Sequence, residues 1–241
     1  MSKPLITAHS GCMDTRPNSV TSVMEGLNAG ADVIEVDIRV TRDGKVVLHH
    51  DEEVRTNAEF KRLRDLTYVE LKHIMKEGNI YLLDEVLPLI KERHRMINLD
   101  VKDLDVIDPL IQTVEKHKMR DSAIFSGCEK ETAIYVKTFY SPYQVLLNAN
   151  ASHFLKGEED YKAFVKKTIE DAIICSCCGI NVNYQLCRED FIEPARLRGL
   201  PTSVWTVDEL DMMNRFIEMD VHSITTNEVT TLVGLRNKRK G

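Results

Sequence analysis

Eight short runs of β-branched and other apolar residues alternate with helical patterns along this chain of 241 residues, and that alternation limits the folds open to it. The runs expected to form strands are Leu5–His9, Val33–Val40, Met96–Lys102, Ala123–Ser126, Tyr143–Asn148, Ala172–Cys175, Thr202–Thr206 and Ser223–Thr225. The expected helices are Asn18–Ala29, Leu83–Arg93, Val106–His117, Glu129–Phe139, Ala163–Asp171, Arg188–Arg198, Glu209–Met219 and Glu228–Lys238. Eight βα units predict an α/β fold, a (β/α)8 TIM barrel in one domain over residues 1–241, with a doubly wound open sheet as the alternative. An extra short strand is expected at Val46–His50, after an Asp-Gly turn.

Composition narrows the class of protein. Hydrophobic residues make up 43% of the chain and charged residues 29%, which is ordinary for a soluble globular protein. The net charge of −6 argues against a nucleic-acid partner. No run of about 18 apolar residues and no signal peptide is visible, so we expect a cytoplasmic protein without a stable membrane anchor.

Six cysteines raise the question of a zinc site or of disulfides. Cys175, Cys177 and Cys178 lie together, but the cluster lacks the paired Cys-x₂₋₄-Cys spacing of structural zinc sites. Because the cluster follows an apolar run, we expect these residues to be small apolar side chains on a barrel strand in a reducing compartment.

Two acids and two histidines near the start of the chain carry the chemistry. Glu35 and Asp37 are two residues apart on an expected strand, so both carboxylates point to one face. Their neighbours are apolar, and two buried carboxylates need a cation or cationic side chains. His9 and His50 each end a short apolar run. Taken singly, such residues are usually salt-bridge partners or hydrogen-bonded structural histidines, but together at strand ends they indicate a metal-assisted acid–base hydrolase.

The same residues resemble a known family, the glycerophosphodiester phosphodiesterases. That family's usual pattern is His-Arg, then Glu-x-Asp, a Thr-x-Asp-Gly turn and a closing His-Asp. The corresponding segments here are His9-Ser10, Glu35-Val-Asp37, Thr41-Arg-Asp-Gly44 and His50-Asp51. Later segments are similar as well, in the same order: Asp84-Glu85-Val-Leu87, Asn98-Leu-Asp-Val-Lys102, Val204-Trp-Thr-Val207 and Ser223-Ile-Thr-Thr-Asn227.

The resemblance implies a role for each matching residue. His9 and His50 match the general acid and general base, in an order that the sequence leaves open. Glu35, Asp37 and Asp100 match the ligands of one divalent cation, Mg²⁺ or Ca²⁺, and oxygen ligands suit such a hard ion. The resemblance also implies two substrate contacts. Lys102 would reach a phosphate oxygen, with an ion pair to Asp100 alone as the alternative, and Trp205 would contact the alcohol, with packing at the barrel top as the alternative.

The chain departs from the family pattern around the phosphate. Ser10 replaces an arginine that helps to hold it, and Pro17 replaces a glutamate. Ser10 would therefore bind substrate through a short neutral hydroxyl, unless Arg16 supplies a guanidinium. Asp100 replaces the more usual glutamate. His49 should point away from His50 on a strand and take no part in catalysis.

The expected activity is hydrolysis of a glycerophosphodiester, a small-molecule substrate, to an alcohol and glycerol 3-phosphate. Two alternatives stay open: a phosphodiesterase for a lysophospholipid or phosphosugar ester, and a non-catalytic binding protein on the same barrel. The sequence identifies neither the alcohol, nor the metal, nor the oligomeric state.

Overall fold

The computed structural model describes residues 3–56, 59–75, 80–149 and 158–238. The strands are β1 (Leu5–Ala8), β2 (Val33–Val40), β3 (Val46–Leu48), β4 (Glu53–Arg55), β5 (Phe60–Arg62), β6 (Met96–Val101), β7 (Ala123–Cys128), β8 (Gln144–Asn148), β9 (Gly179–Asn183), β10 (Thr202–Trp205) and β11 (Ser223–Thr226). The α-helices are α1 (Val20–Asn28), α2 (Tyr68–Met75), α3 (Leu83–Glu92), α4 (Ile107–Lys116), α5 (Lys130–Phe139), α6 (Glu158–Ile174), α7 (Glu189–Leu197), α8 (Leu210–Glu218) and α9 (Val229–Lys238). Short 3₁₀ helices occupy Leu63–Asp65, Leu104–Val106, Arg120–Ser122 and Tyr184–Leu186.

Eight of these strands form a closed parallel barrel. The order around it is β1, β11, β10, β9, β8, β7, β6 and β2, and β2 pairs again with β1 to close the ring. At least one helix separates each barrel strand from the next, and the last helix, α9, follows β11. The predicted (β/α)8 barrel is therefore confirmed. The extra strand is present as β3, antiparallel to the end of β2.

The hydrophobic core lies between the barrel and its helices. Ile34, Val36 and Ile38 of β2 are buried in one apolar cluster with residues of the surrounding helices. The alternate positions of the barrel strands point inward, and many of them are polar. Buried examples are Thr7, Glu35, Asn98, Ser126, Asn181, Ser203, Ser223 and Thr225. A barrel with a polar interior can hold a hydrophilic ligand at its open end.

One predicted strand is wrong. Ala172–Cys175 is not a strand, because residues 172–174 are the end of α6 and the sixth barrel strand is β9. The run is apolar but follows helical spacing: Ala172 is buried, whereas Ile173 and Ile174 are 38% and 64% exposed. A short apolar run of this kind does not distinguish a strand from a helix end.

The cysteine cluster consequently occupies a turn. Cys175 follows α6, Ser176 has a positive φ of 53° and the backbone N–H of Cys177 donates to the carbonyl of Ala172. The expectation that these cysteines lie on a barrel strand is wrong, although Cys175 and Cys177 are buried free thiols, as small apolar residues would be. Helix α2 and the β4–β5 hairpin were not predicted. Across the described ranges, no helix has the length and hydrophobicity needed to cross a membrane.

Candidate active site

A cavity of about 300 Å³ opens at the carboxyl ends of the barrel strands. Its lining residues are His9, Glu35, Asp37, His50, Asn98, Asp100, Val101, Lys102, Ser126, Gly127, Asn148, Asn181, Trp205 and Thr225. The structure thus brings together seven of the eight predicted site residues. The eighth, Ser10, lies beside the cavity and is not among the residues that line it. This end of the barrel is where TIM-barrel enzymes carry their active sites.

Three carboxylates form the centre of the cavity. Asp37 and Asp100 stand opposite each other on the paired strands β2 and β6. One oxygen each of Glu35, Asp37 and Asp100 lie within 4.8 Å of one another. Burial, reinforced by the negative charges of Asp37 and Asp100, raises the pKa of Glu35 well above its ordinary value. Crowding of this kind favours a bound cation.

Lys102 is the cationic side chain at this cluster. Its ammonium lies 2.7 Å from Oδ1 of Asp37 and also forms a short ion pair with Asp100. Burial opposes the charge on Lys102, but the two carboxylates outweigh it and raise the pKa of the ammonium. In Asp37, burial is likewise outweighed, chiefly by Lys102, so the pKa of that carboxyl is lowered. Lys102 therefore bridges two carboxylates, and does not pair with Asp100 alone.

Asn18 orients Asp37, and the sequence interpretation missed it. The Asn18 side-chain amide donates to Oδ2 of Asp37 at 2.8 Å, and the Asp37 backbone N–H donates to Oδ1 of Asn18 at 3.0 Å. Ser10 supports this arrangement, since its hydroxyl oxygen accepts from the Asn18 backbone N–H at 2.7 Å. The backbone N–H of Ser10 donates to Glu35 at 2.9 Å. Ser10 thus connects two of the three carboxylates, and its contact with substrate stays a prediction.

The two histidines have different partners. Nδ1 of His9 lies 3.0 Å from Oδ1 of Asn227, and the Asn227 amide in turn donates to Asp208. Nδ1 of His50 lies 2.9 Å from Oδ1 of Asp51, and its side chain is 68% exposed at the rim. The sequence pattern carried no signal for these partners, because Asn227 was assigned only to a strand motif and Asp208 to no motif.

The position of His50 depends on Arg39. The Arg39 guanidinium donates twice to the backbone carbonyl of His50, at 2.9 and 3.1 Å, and also pairs with Asp103. This arrangement joins the segment after β3 to the segment after β6. His49 lies outside the cavity lining, and burial lowers its pKa. Since β3 ends at Leu48, both histidines follow the strand, and the alternation expected of Val46–His50 does not extend to them.

Asparagines and small hydroxyl residues form the floor of the cavity. The Asn181 amide donates to Oδ1 of Asn148 at 3.0 Å, and the Ser126 hydroxyl lies 3.3 Å from Oδ1 of Asp100. Nε1 of Trp205 and Oδ1 of Asn98 are buried without a hydrogen-bond partner among the described residues. Neither the asparagines nor the hydroxyls of this floor were predicted as site residues.

Comparison with known proteins places the chain in a family. The model of the glycerophosphoryl diester phosphodiesterase family matches residues 9–231. A glycerophosphodiester phosphodiesterase of Caldanaerobacter subterraneus subsp. tengcongensis is 27% identical, over 98% of this chain and 99% of its own.

Solved structures share the fold. A putative glycerophosphoryl diester phosphodiesterase from Silicibacter pomeroyi aligns with a TM-score of 0.84 at 13% identity, covering 99% of this chain and 94% of its own. A phosphodiesterase from Oleispira antarctica, solved in complex with its product sn-glycerol-3-phosphate, aligns with a TM-score of 0.80 at 15% identity, covering 98% of this chain and 97% of its own. With a family match across nearly all of its length, the chain belongs to the glycerophosphoryl diester phosphodiesterase family, a family of phosphoric diester hydrolases.

Proposed function

We propose that this protein hydrolyses a glycerophosphodiester to an alcohol and sn-glycerol 3-phosphate, with one divalent cation and two histidines. The observation that carries the proposal is that three carboxylates and two imidazoles from separate strand ends line one cavity. The cavity is hydrophilic, with asparagine and hydroxyl side chains at its floor, as a small polar substrate requires.

The carboxylate cluster fits a hard divalent cation. Glu35, Asp37 and Asp100 supply oxygen ligands only, and their mutual repulsion is relieved by positive charge. Such ligands suit Mg²⁺ or Ca²⁺. When bound, the ion would polarise phosphoryl oxygens and offset the charge that grows in the transition state. Lys102 carries a further positive charge at the same place and would contact a phosphoryl oxygen.

The histidines would move the protons. One accepts the proton of the attacking hydroxyl, and the other donates a proton to the leaving alkoxide. If water attacks, glycerol 3-phosphate forms directly. If the neighbouring hydroxyl of the glycerol attacks, a cyclic phosphate forms first and water then opens it to glycerol 3-phosphate. His9 lies on the barrel wall and His50 at the rim, so a phosphodiester between them can be approached from two sides. Trp205 presents a half-buried ring, against which the alcohol or glycerol part would pack.

The test is a hydrolysis screen. The purified protein is stripped with chelator, resupplied with Mg²⁺, Ca²⁺ or Mn²⁺, and incubated with glycerophosphodiesters that differ in alcohol. Lysophospholipids and phosphosugar esters are added as separate substrates. We expect glycerol 3-phosphate, detected with a coupled dehydrogenase, in the metal-supplied reactions only. Undiminished turnover in excess chelator would remove the metal from the proposal, and release of free glycerol with a phosphorylated alcohol would show that the wrong bond was assigned.

A matched pair of variants separates the metal site from general surface charge. Asp100→Asn should abolish calorimetrically measured Mg²⁺ binding and lower activity. Asp105→Asn, whose carboxylate is 67% exposed and pairs with Arg64, should leave both unchanged. Equal Mg²⁺ affinity in the two variants would contradict the assignment of Asp100 as a ligand.

A further inference from the structure

Three strand ends meet beside His9. The backbone N–H of His9 donates to the carbonyl of Thr226 at 3.0 Å, which joins the end of β1 to the end of β11. The backbone N–H of Asn227 donates to Oδ1 of Asp208 at 2.8 Å, which joins the end of β11 to the segment after β10. Hydrogen bonds between neighbouring strand ends therefore hold Asp208 and Asn227 in place.

Asp208 determines the orientation of the Asn227 amide. Its carboxylate accepts three hydrogen bonds: from the Asn227 backbone N–H at 2.8 Å, the Asn227 side-chain amide at 2.9 Å and the Thr226 hydroxyl at 3.1 Å. A carboxylate of this kind only accepts, so the NH₂ group of Asn227 must face it. The Oδ1 of Asn227 then faces His9.

The orientation of that amide selects the tautomer of His9. A carbonyl oxygen only accepts, so Nδ1 of His9, at 3.0 Å, must carry the proton. In the neutral ring the lone pair is then on Nε2. Because Nδ1 is turned to Asn227, which does not line the cavity, Nε2 is the ring nitrogen available to substrate.

We propose that Asn227 and Asp208 are positioning residues for the phosphodiesterase reaction, which hold His9 with a proton on Nδ1 and make Nε2 the nitrogen that exchanges a proton with the substrate. This inference rests on the proposed function. Asn227 supplies a neutral acceptor to His9. The Asp208 carboxylate, which binds Asn227, keeps the Asn227 amide from rotating.

Nuclear magnetic resonance tests the tautomer without any assay of activity. The protein with Mg²⁺ is labelled with ¹⁵N-histidine, and the His9 ring signals are identified with His9→Gln. We expect neutral His9 to carry its proton on Nδ1 in the wild-type protein and to become a mixture of tautomers in Asn227→Leu. A wild-type His9 protonated on Nε2 would overturn the proposal, whether or not the protein hydrolyses glycerophosphodiesters.

Kinetics with a reciprocal exchange tests the role in catalysis. Asn227→Leu should lower kcat by about ten- to a hundredfold with little change in KM, less than the roughly 10⁴-fold loss that a reversed tautomer causes in Ser-His-Asp enzymes. Asn227→Asp alone places two carboxylates against each other and should be as poor. The double variant Asp208→Asn with Asn227→Asp again offers His9 an acceptor that is held by an amide donor, so it should regain at least tenfold of the lost kcat.

Asn214, on α8, offers a control for the loss of an asparagine side chain. Asn214→Leu removes an asparagine that donates to a helix carbonyl on α8, at 3.1 Å, and should leave kcat unchanged. If Asn227→Leu retains full kcat in an active enzyme, or if the double variant is no better than the worse single variant while all remain folded, the pair has only a structural role. Absence of all hydrolysis with the expected wild-type tautomer would refute the proposed function and leave the positioning of His9 intact.

Discussion

Adding one methyl group at Gly127, as in Gly127→Ala, should damage the carboxylate cluster directly. It lies in β7 at a shift in register between β7 and β8, with a positive φ of 70°. A Cβ at this position would be 2.3 Å from Oδ1 of Asp100 and 2.4 Å from the carbonyl oxygen of Val101. Only glycine lets the neighbouring strand bring Asp100 this close.

Gly199 is a matched control for the conformational part of the effect. It has the same φ of 70°, at the end of α7, and a Cβ there would meet nothing within 4 Å. A side chain at positive φ costs roughly 1–2 kcal/mol in either place. The clash at Gly127 adds about 1–3 kcal/mol, because Asp100 and the β6 backbone must move.

The two variants should consequently separate in stability and in function. A loss of 1 kcal/mol lowers the Tm of a protein of this size by about 2–4 °C, so Gly199→Ala should lower Tm by roughly 2–8 °C and Gly127→Ala by roughly 4–20 °C. Only Gly127→Ala should also weaken Mg²⁺ binding, by about 10–100-fold, as loss of support around a metal ligand does. Differential scanning calorimetry and metal titration measure both effects. Equal losses of Tm with equal Mg²⁺ affinity would refute the steric argument.

Three further outcomes are expected. His9→Ala and His50→Ala should each lower kcat by on the order of 10²–10⁴-fold in steady-state assays, whereas His49→Ala should have little effect; a sensitive His49 would overturn the assigned register. Lys102→Met should destabilise the metal-free protein by about 3–5 kcal/mol in urea unfolding, since Asp37 and Asp100 lose their buried partner. Saturating Mg²⁺ should recover most of that loss. An unchanged unfolding midpoint would count against the Lys102 bridge between the two carboxylates. The raised pKa of Glu35 lets the native state bind a proton at a pH where the unfolded state does not. The free energy of unfolding in chelator should therefore rise as pH falls through the native pKa, and stop rising below the unfolded pKa of about 4.3. Glu35→Gln should remove this rise in urea unfolding.

The architecture and seven residues that line the cavity could be predicted from the amino-acid sequence. Alternating strand and helix patterns predicted the barrel, because the hydrophobic periodicity of each strand and helix can be recognised within its own short segment. The spacing of Glu35 and Asp37 predicted that both carboxylates share a face, and the structure turns that face into the barrel. The mistake at Ala172–Cys175 arose where this local rule fails, since three or four apolar residues do not complete a period.

The contacts that hold those residues in place come from parts of the chain that are distant in sequence. Asn18 contacts Asp37 across 19 positions of the chain, and Asn227 contacts His9 across 218. Closing the barrel brings the first and last strands together, and no local pattern encodes which side chains then meet. A hydrogen bond depends on distance and direction to within a few tenths of an ångström, and these are set by strand register and packing around the whole ring. Residue spacing and the family resemblance could therefore predict which groups line the cavity, whereas their partners, orientation and proton positions depend on the closed barrel.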